Sequence, residues 1–167
     1  MKGNSSALTT NLRTTALVEA AQLQPGAPGI GDSLYPGFGN SGYDAQHYNL
    51  DLNVSDVDTS TLNGIATIEA KATQDLSSFN LDFIGFTIDG ITVDGKPAEF
   101  SRDGQELTIT PAEPLYTDDT FTIEVKYNGS PEQITSVAIP VPTGWVIFDG
   151  GSFVHLTFVA QIFGVAA

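Results

Sequence analysis

The chain has 167 residues, enough for one domain with a real hydrophobic core. Hydrophobic residues make up 41% of it, which excludes a chain disordered throughout. Twenty acids against six bases give a formal charge of −14, a balance that argues against nucleic-acid partners and anionic membranes. Of those acids 18 lie between Asp32 and Glu132, and the reading is a solvated acidic surface. No cysteine occurs, so disulfides, thiolate nucleophiles and cysteine-ligated metals are excluded.

Residues 1–41 read as a leader and an irregular arm. Met1 to Gln24 is rich in Ser, Thr and Ala and is broken by Asn11 and Arg13, so it lacks the apolar run of a signal peptide. Ala16 to Leu23 has helix-favouring composition but is too short for more than a marginal helix. Pro25 to Gly42 is mostly Gly, Pro, Ser and Asn and reads as extended, irregular chain, with Tyr35 and Phe38 expected to pin it to the domain surface.

Alternation then begins. From His47, the residues Tyr48, Leu50, Leu52 and Val54 fall on one face and His47, Asn49, Asp51 and Asn53 on the other, which is the period of a half-buried antiparallel strand. Ser55 to Thr61 reads as a polar turn closed by Asn63-Gly64. Ile65 to Thr73 follows as a strand with Ala66, Ile68, Ala70 and Ala72 inward. Phe79, Leu81 and Phe83 alternate with Asn80 and Asp82, and Phe86 to Val93 continues as a strand interrupted at Asp89-Gly90. Asp94-Gly95 is a two-residue hairpin signal, because both turn positions need positive φ, and Asp103-Gly104 repeats the device. Phe121, Ile123, Val125 and Tyr127 form the last clear strand, ended by Asn128-Gly129. About seven or eight short strands with turn signals between them, and no sustained helical periodicity, predict an all-β antiparallel sandwich over residues 42–153.

The tail differs in kind. From Ile134 to Ala167 the only charge is Asp149, and residues 154–167 read as an apolar tail. Ser152, His155, Gln161 and Gly164 interrupt it, so it falls short of the ~20 apolar residues of a membrane span, and a buried or edge strand is expected over Ser152 to Val159.

The residues declare no chemistry of their own. His47 and His155 stand more than a hundred positions apart without H-E-x-x-H spacing, and both are read as ordinary strand residues. Asp56-Val57-Asp58-Thr59-Ser60 resembles the start of a calcium loop, but Thr61 and Thr67 stand where the Gly and the Glu are required, so a polar turn is the better account. Gly39-Asn40-Ser41-Gly42-Tyr43 fails as a nucleophile elbow at its last position. Asn4-Ser5-Ser6 and Asn128-Gly129-Ser130 fit glycosylation acceptors without bearing on activity. No catalytic, cofactor-binding or metal residue is assigned.

Four strings, GDSLYPGFGNSGYDAQHYNLDLNV, LNGIATIEAKATQDLSSFNLDF, VDGKPAEFSRDGQELTITPAEPL and FTIEVKYNGSPE, carry a resemblance. Over about residues 31–153 the chain resembles the N-terminal β-sandwich domain of the aminopeptidase N family of gluzincin zinc metallopeptidases. Tyr43, Asp44, His47, Tyr48, Leu50 and Leu52 match that family's Tyr-Asp-x-x-His-Tyr-x-Leu-x-Leu run on the first strand. The resemblance implies a hydrolase fragment whose zinc, H-E-x-x-H helix and G-x-M-E-N loop belong to a catalytic domain outside this chain. It implies no cofactor here, zinc in the full-length family, and a catalytic metallopeptidase domain as partner. It also implies inactivity of the domain alone. The loss of charge after Ile134 is read as the mark of a truncated or frame-altered fragment.

Two other readings stand beside this one. One is a free-standing acidic binding module for carbohydrate or protein, with Tyr35, Phe38, Tyr116 and Trp145 as an aromatic platform. The other is an interaction domain that self-associates through its uncharged C-terminal strand. An extracellular or cell-envelope location is slightly favoured.

Overall fold

A computed structural model describes residues 23–31, 33, 39–131, 133–134, 143–148 and 151–155. Among them are twelve strands and no helix. In chain order they are β1 (Gln24–Pro25), β2 (Tyr43–Asp56), β3 (Thr61–Ala72), β4 (Leu76–Asp82), β5 (Thr87–Val93) and β6 (Lys96–Pro97). The rest are β7 (Glu99–Asp103), β8 (Glu106–Thr110), β9 (Thr120–Gly129), β10 (Gln133–Ile134), β11 (Thr143–Phe148) and β12 (Gly151–His155). The fold is all-β and sandwich-like.

One sheet has five strands in the order β2-β3-β9-β5-β6, and a second has four in the order β1-β4-β8-β7. Their apolar faces meet. Ala66, Ile68, Ala70 and Ala72 from β3 and Phe121, Ile123, Val125 and Tyr127 from β9 are buried against Phe79 and Leu81 of β4 and Leu107 and Ile109 of β8. Aromatic rings bridge the two layers: Tyr43 lies 5.6 Å from Phe79, Phe79 5.4 Å from Phe121, and Phe83 5.7 Å from Tyr127, ring centre to ring centre. Tilted and edge-on pairs at these separations add to the stabilisation from area burial alone. A smaller sheet, β10-β11-β12, follows, with Trp145 half-buried against the same core.

The turn chemistry explains the hairpins. Asp94 and Gly95 both adopt positive φ, 50° and 73°, as the I′ signal requires. The Asp94 carboxylate also accepts a hydrogen bond from the Thr122 N–H at 2.9 Å, which ties the turn to β9. The break expected at Asp89-Gly90 is a bulge, where the β5–β9 register shifts between Ile88 and Gly90. In the polar turn after β2, the Asp56 side chain accepts the Asp58 N–H at 3.0 Å, and side-chain hydrogen bonding from Thr59 holds its carboxyl below the usual range.

Several expectations are corrected. Asn63-Gly64 does not close a turn: both residues lie inside β3, and Gly64 is there because the Tyr127 ring occupies the space of its missing side chain. Asp103-Gly104 does not repeat the Asp94-Gly95 device, since Asp103 ends β7 and only Gly104 has positive φ, 62°. Asn80 and Asp82, which alternate with the core residues of β4, are buried as well, and the N-terminal arm crosses at Asn80, whose amide donates to the Gly26 carbonyl at 3.3 Å. The apolar row of β2 is only half covered, with Leu50 and Leu52 partly buried and Tyr48 and Val54 exposed by 37% and 39%. Among the described residues β2 is an edge strand of its sheet, and the four-stranded layer packs on its neighbours β3 and β9. Tyr127 is not the end of strand structure, because β10 to β12 follow, with β12 covering the first part of the strand expected at Ser152 to Val159. Residues 16–22, Tyr35, Phe38 and residues 156–167 lie outside the described residues.

Candidate functional site

Among the described residues, the two histidines of the sequence stand on different sheets. His47 is exposed on β2, paired with Glu69 of β3, while His155 sits at the end of β12 opposite Gly144. The structure does not bring them together in any element. No group of three or more His, Cys, Asp or Glu side chains that could hold a metal ion occurs among the described residues. The Asp56 turn holds itself by its own hydrogen bonds.

The most unusual electrostatics belong to a pair of carboxylates that the sequence marked for no role. Asp82 and Glu106 are direct cross-strand partners of β4 and β8. Asp82 is 6% exposed, and Glu106 has a buried carboxylate oxygen without a hydrogen-bond donor. Burial pushes both carboxyls up, and the charge of Asp82 raises Glu106 further. Neither residue is among those that line the two recesses described below. The only sequence signal for them was their place within apolar strings, NLDF and QELTI.

Nearby, Arg102 closes one end of the core. Its guanidinium stacks 5.1 Å from the centre of the Phe83 ring and donates to the carbonyls of Phe83 at 2.9 Å, Phe86 at 3.0 Å and Gly104 at 3.0 Å. All of these partners are neutral, so the cation serves the backbone rather than a ligand. Two buried phenols complete the set. Tyr43 donates to the Asn80 carbonyl at 2.6 Å, and burial raises it well above the usual tyrosine value. Burial also pushes Tyr127 up to about 12, and its hydroxyl has no hydrogen-bond partner.

Among the described residues, two shallow recesses stand out. One, of about 170 Å³, lies between the β5–β6 turn and the loop that precedes β9, where Lys96 and Glu113 form an ion pair at 2.6 Å. The other, of about 200 Å³, is lined by Gln46, Glu69, Thr120 and Thr122 over buried Ala70 and Phe121. Neither joins a nucleophile to a base. Of the residues considered for an aromatic platform, Tyr116 is 51% exposed, whereas Trp145 packs its ring on the core with its indole N–H buried. Those two do not present a shared flat face of exposed rings.

Comparison with known proteins places this architecture. No protein-family model matches the chain, and no curated protein does. Solved structures do. The chain is similar to an M1 zinc metallopeptidase from Deinococcus radiodurans, with 27% identity and a TM-score of 0.72, over 83% of this chain and 32% of that one. A structure of a mutant M1 zinc metallopeptidase from the same organism is 30% identical over 70% of this chain and 27% of its own, with a TM-score of 0.61. A two-domain M1 zinc metallopeptidase mutant bound to L-arginine is 29% identical over 75% and 29%, with a TM-score of 0.67. The chain therefore spans about a third of the length of the structures it matches. The resemblance carried by the strand strings is borne out: most of this chain is similar in sequence and fold to M1 zinc metallopeptidases, over a share of their length consistent with the N-terminal domain of that family.

Proposed function

We propose that this chain is the non-catalytic N-terminal sandwich of an M1-type zinc metallopeptidase, and that it acts by packing against a catalytic domain in a longer polypeptide. The observation that carries this reading is the lopsided coverage: 83% of this chain corresponds to 32% of the Deinococcus enzyme. In this reading zinc and the hydrolytic residues belong to the other domain, and no catalytic, metal or substrate residue is assigned here. The sandwich contributes a rigid face, because its core rings bridge both layers and its hairpins are fixed by their turn residues.

The test is direct. The purified 167-residue chain is assayed for bound zinc by elemental analysis and for release of N-terminal residues from short peptides. Neither stoichiometric zinc nor hydrolysis is expected. Zinc at one equivalent, with hydrolysis lost on chelation, would overturn the assignment.

A further inference from the structure

We propose that the outer edge of β2 is a self-association surface, on which a second copy of this chain pairs antiparallel through a two-fold axis at Asn49. Four observations carry it. First, the strand edges differ in protection. β6 is two residues long and contains Pro97, β1 is two residues long and contains Pro25, and every residue of β7 is exposed, with Glu99, Arg102 and Asp103 among them. These are the usual devices that stop edge pairing. β2 carries Asp44, Asp51, Asp56 and two bulges, but it has fourteen residues, no proline and no lysine, and among the described residues no strand pairs with its outer side.

Second, β2 is regular over a usable length. Its two bulges, at Gln46 and Ser55, leave His47 to Val54 in unbroken register with β3. With the axis at Asn49, the unbroken ladder for a partner strand runs from His47 to Asp51, and Leu52 already faces the partner's bulged Gln46. Third, the core-side row Leu50, Leu52 and Val54 is only partly covered, while its neighbours Ala66 and Leu62 on β3 are buried. A second β2 alongside would extend that apolar row across the axis and remove part of it from water.

Fourth, the polar row is self-complementary. With Asn49 on the axis, His47 stands opposite the partner's Asp51 and Asp51 opposite the partner's His47, while Tyr48 stands opposite the partner's Leu50. The isologous arrangement makes each of these pairs twice. The formal charge of −14 on each copy opposes association at long range, so pairing tightens as salt screens it. This proposal is independent of the metallopeptidase reading, since it concerns only the edge of this sandwich.

The experiment is sedimentation equilibrium on the full chain at low and physiological ionic strength. A dimer that tightens with salt is expected. Asn49→Lys sets two ammonium groups face to face and is expected to weaken the dimer by about tenfold, as is Asn49→Asp, since like charges placed directly opposite oppose pairing. Mixing the two variants is expected to restore association, because Lys then faces Asp. Circular dichroism on each variant verifies that β2 still folds. A monomer under all conditions overturns the proposal. So does a dimer indifferent to both substitutions, or one abolished only by deleting residues 156–167.

Discussion

Gly64 and Tyr127 are direct partners across the β3–β9 ladder, and a Cβ on Gly64 would stand 2.4 Å from the Tyr127 ring. The ring lies flat over the glycine and fills the space of the missing side chain. This explains how a glycine is tolerated within a central strand, where it would otherwise weaken packing. Gly64→Ala is expected to cost about 3 kcal/mol, because ring and backbone must both shift. Urea unfolding of the variant reads that value, and a loss well under half of it would show that the ring can move aside freely.

The Tyr127 hydroxyl gives an opposite expectation. It is buried with no partner, so Tyr127→Phe removes a desolvated polar group and keeps the ring. The variant is expected to be neutral or more stable by up to about 1 kcal/mol. In the parent chain, spectrophotometric titration should find one phenol that ionises only near 12, and that phenol should vanish in the variant.

Asp82 and Glu106 make stability depend on pH. Their carboxyls are raised in the folded chain, so the folded state holds protons that the unfolded state has released. Their contribution is therefore fully present below the ordinary carboxylate range and is lost as pH rises through the raised folded values. Mild acidification from neutrality is expected to stabilise the sandwich, until other carboxylates are protonated. Asp82→Asn should raise stability at neutral pH by on the order of 1 kcal/mol and flatten that slope, the scale of a relieved buried charge. Melting temperature against pH for both proteins provides the check, and parallel curves would refute the account.

Arg102 is expected to resist conservative replacement. Its planar guanidinium reaches three carbonyls and one ring face at once, which a single ammonium cannot do. Arg102→Lys should lose about 2 kcal/mol, close to the loss for Arg102→Ala. A lysine variant as stable as the parent would show that charge alone suffices.

At the Asp94-Gly95 turn, Asp94→Ala removes the hydrogen bond to Thr122 and leaves a residue with poor tolerance of positive φ. A loss of about 1–2 kcal/mol is expected, with Asp94→Asn losing much less because Asn accepts both demands. Thermal unfolding of the two variants side by side separates the contributions.

These residues also show how far the chain could be read in advance. Period-two alternation located β3, β4 and β9 with their inward faces, because both layers bury one side of those strands. Asp94-Gly95 announced its turn, because the local backbone alone demands those residues. Asn63-Gly64 is an equally strong turn signal that came to a different end, since its glycine answers the ring of Tyr127 on another strand rather than a turn. Alternation assigns a face but does not say what covers it: Asn80 is buried where the N-terminal arm crosses at Gly26, a long-range contact that no local pattern contains. The edge position of β2 was equally hidden, so its four apolar residues looked like core. For function, the family was legible in the strand strings, whereas a site was not, because no cluster of reactive side chains is written into the described residues.

The arm itself has a mechanical consequence. Its β1 segment runs parallel to β4 and is held by few bonds: Gln24 N–H to the Asp75 carbonyl at 3.0 Å, Gly26 N–H to Ser78 at 2.8 Å, and a reciprocal clasp between Ala27 and Ser41. Such a short parallel graft is a hasp on the finished sandwich, able to lift while the two layers stay closed. Lifting it would strip Asn80 of the Gly26 carbonyl that accepts from its amide and let water onto that side of β4. The amides of Gly26 and Ser41 would then exchange in a separate, faster class than those of β3 and β9. An arm held in this way is expected to open at lower free energy than the sandwich unfolds, wetting its polar groups while the rings between the layers stay buried.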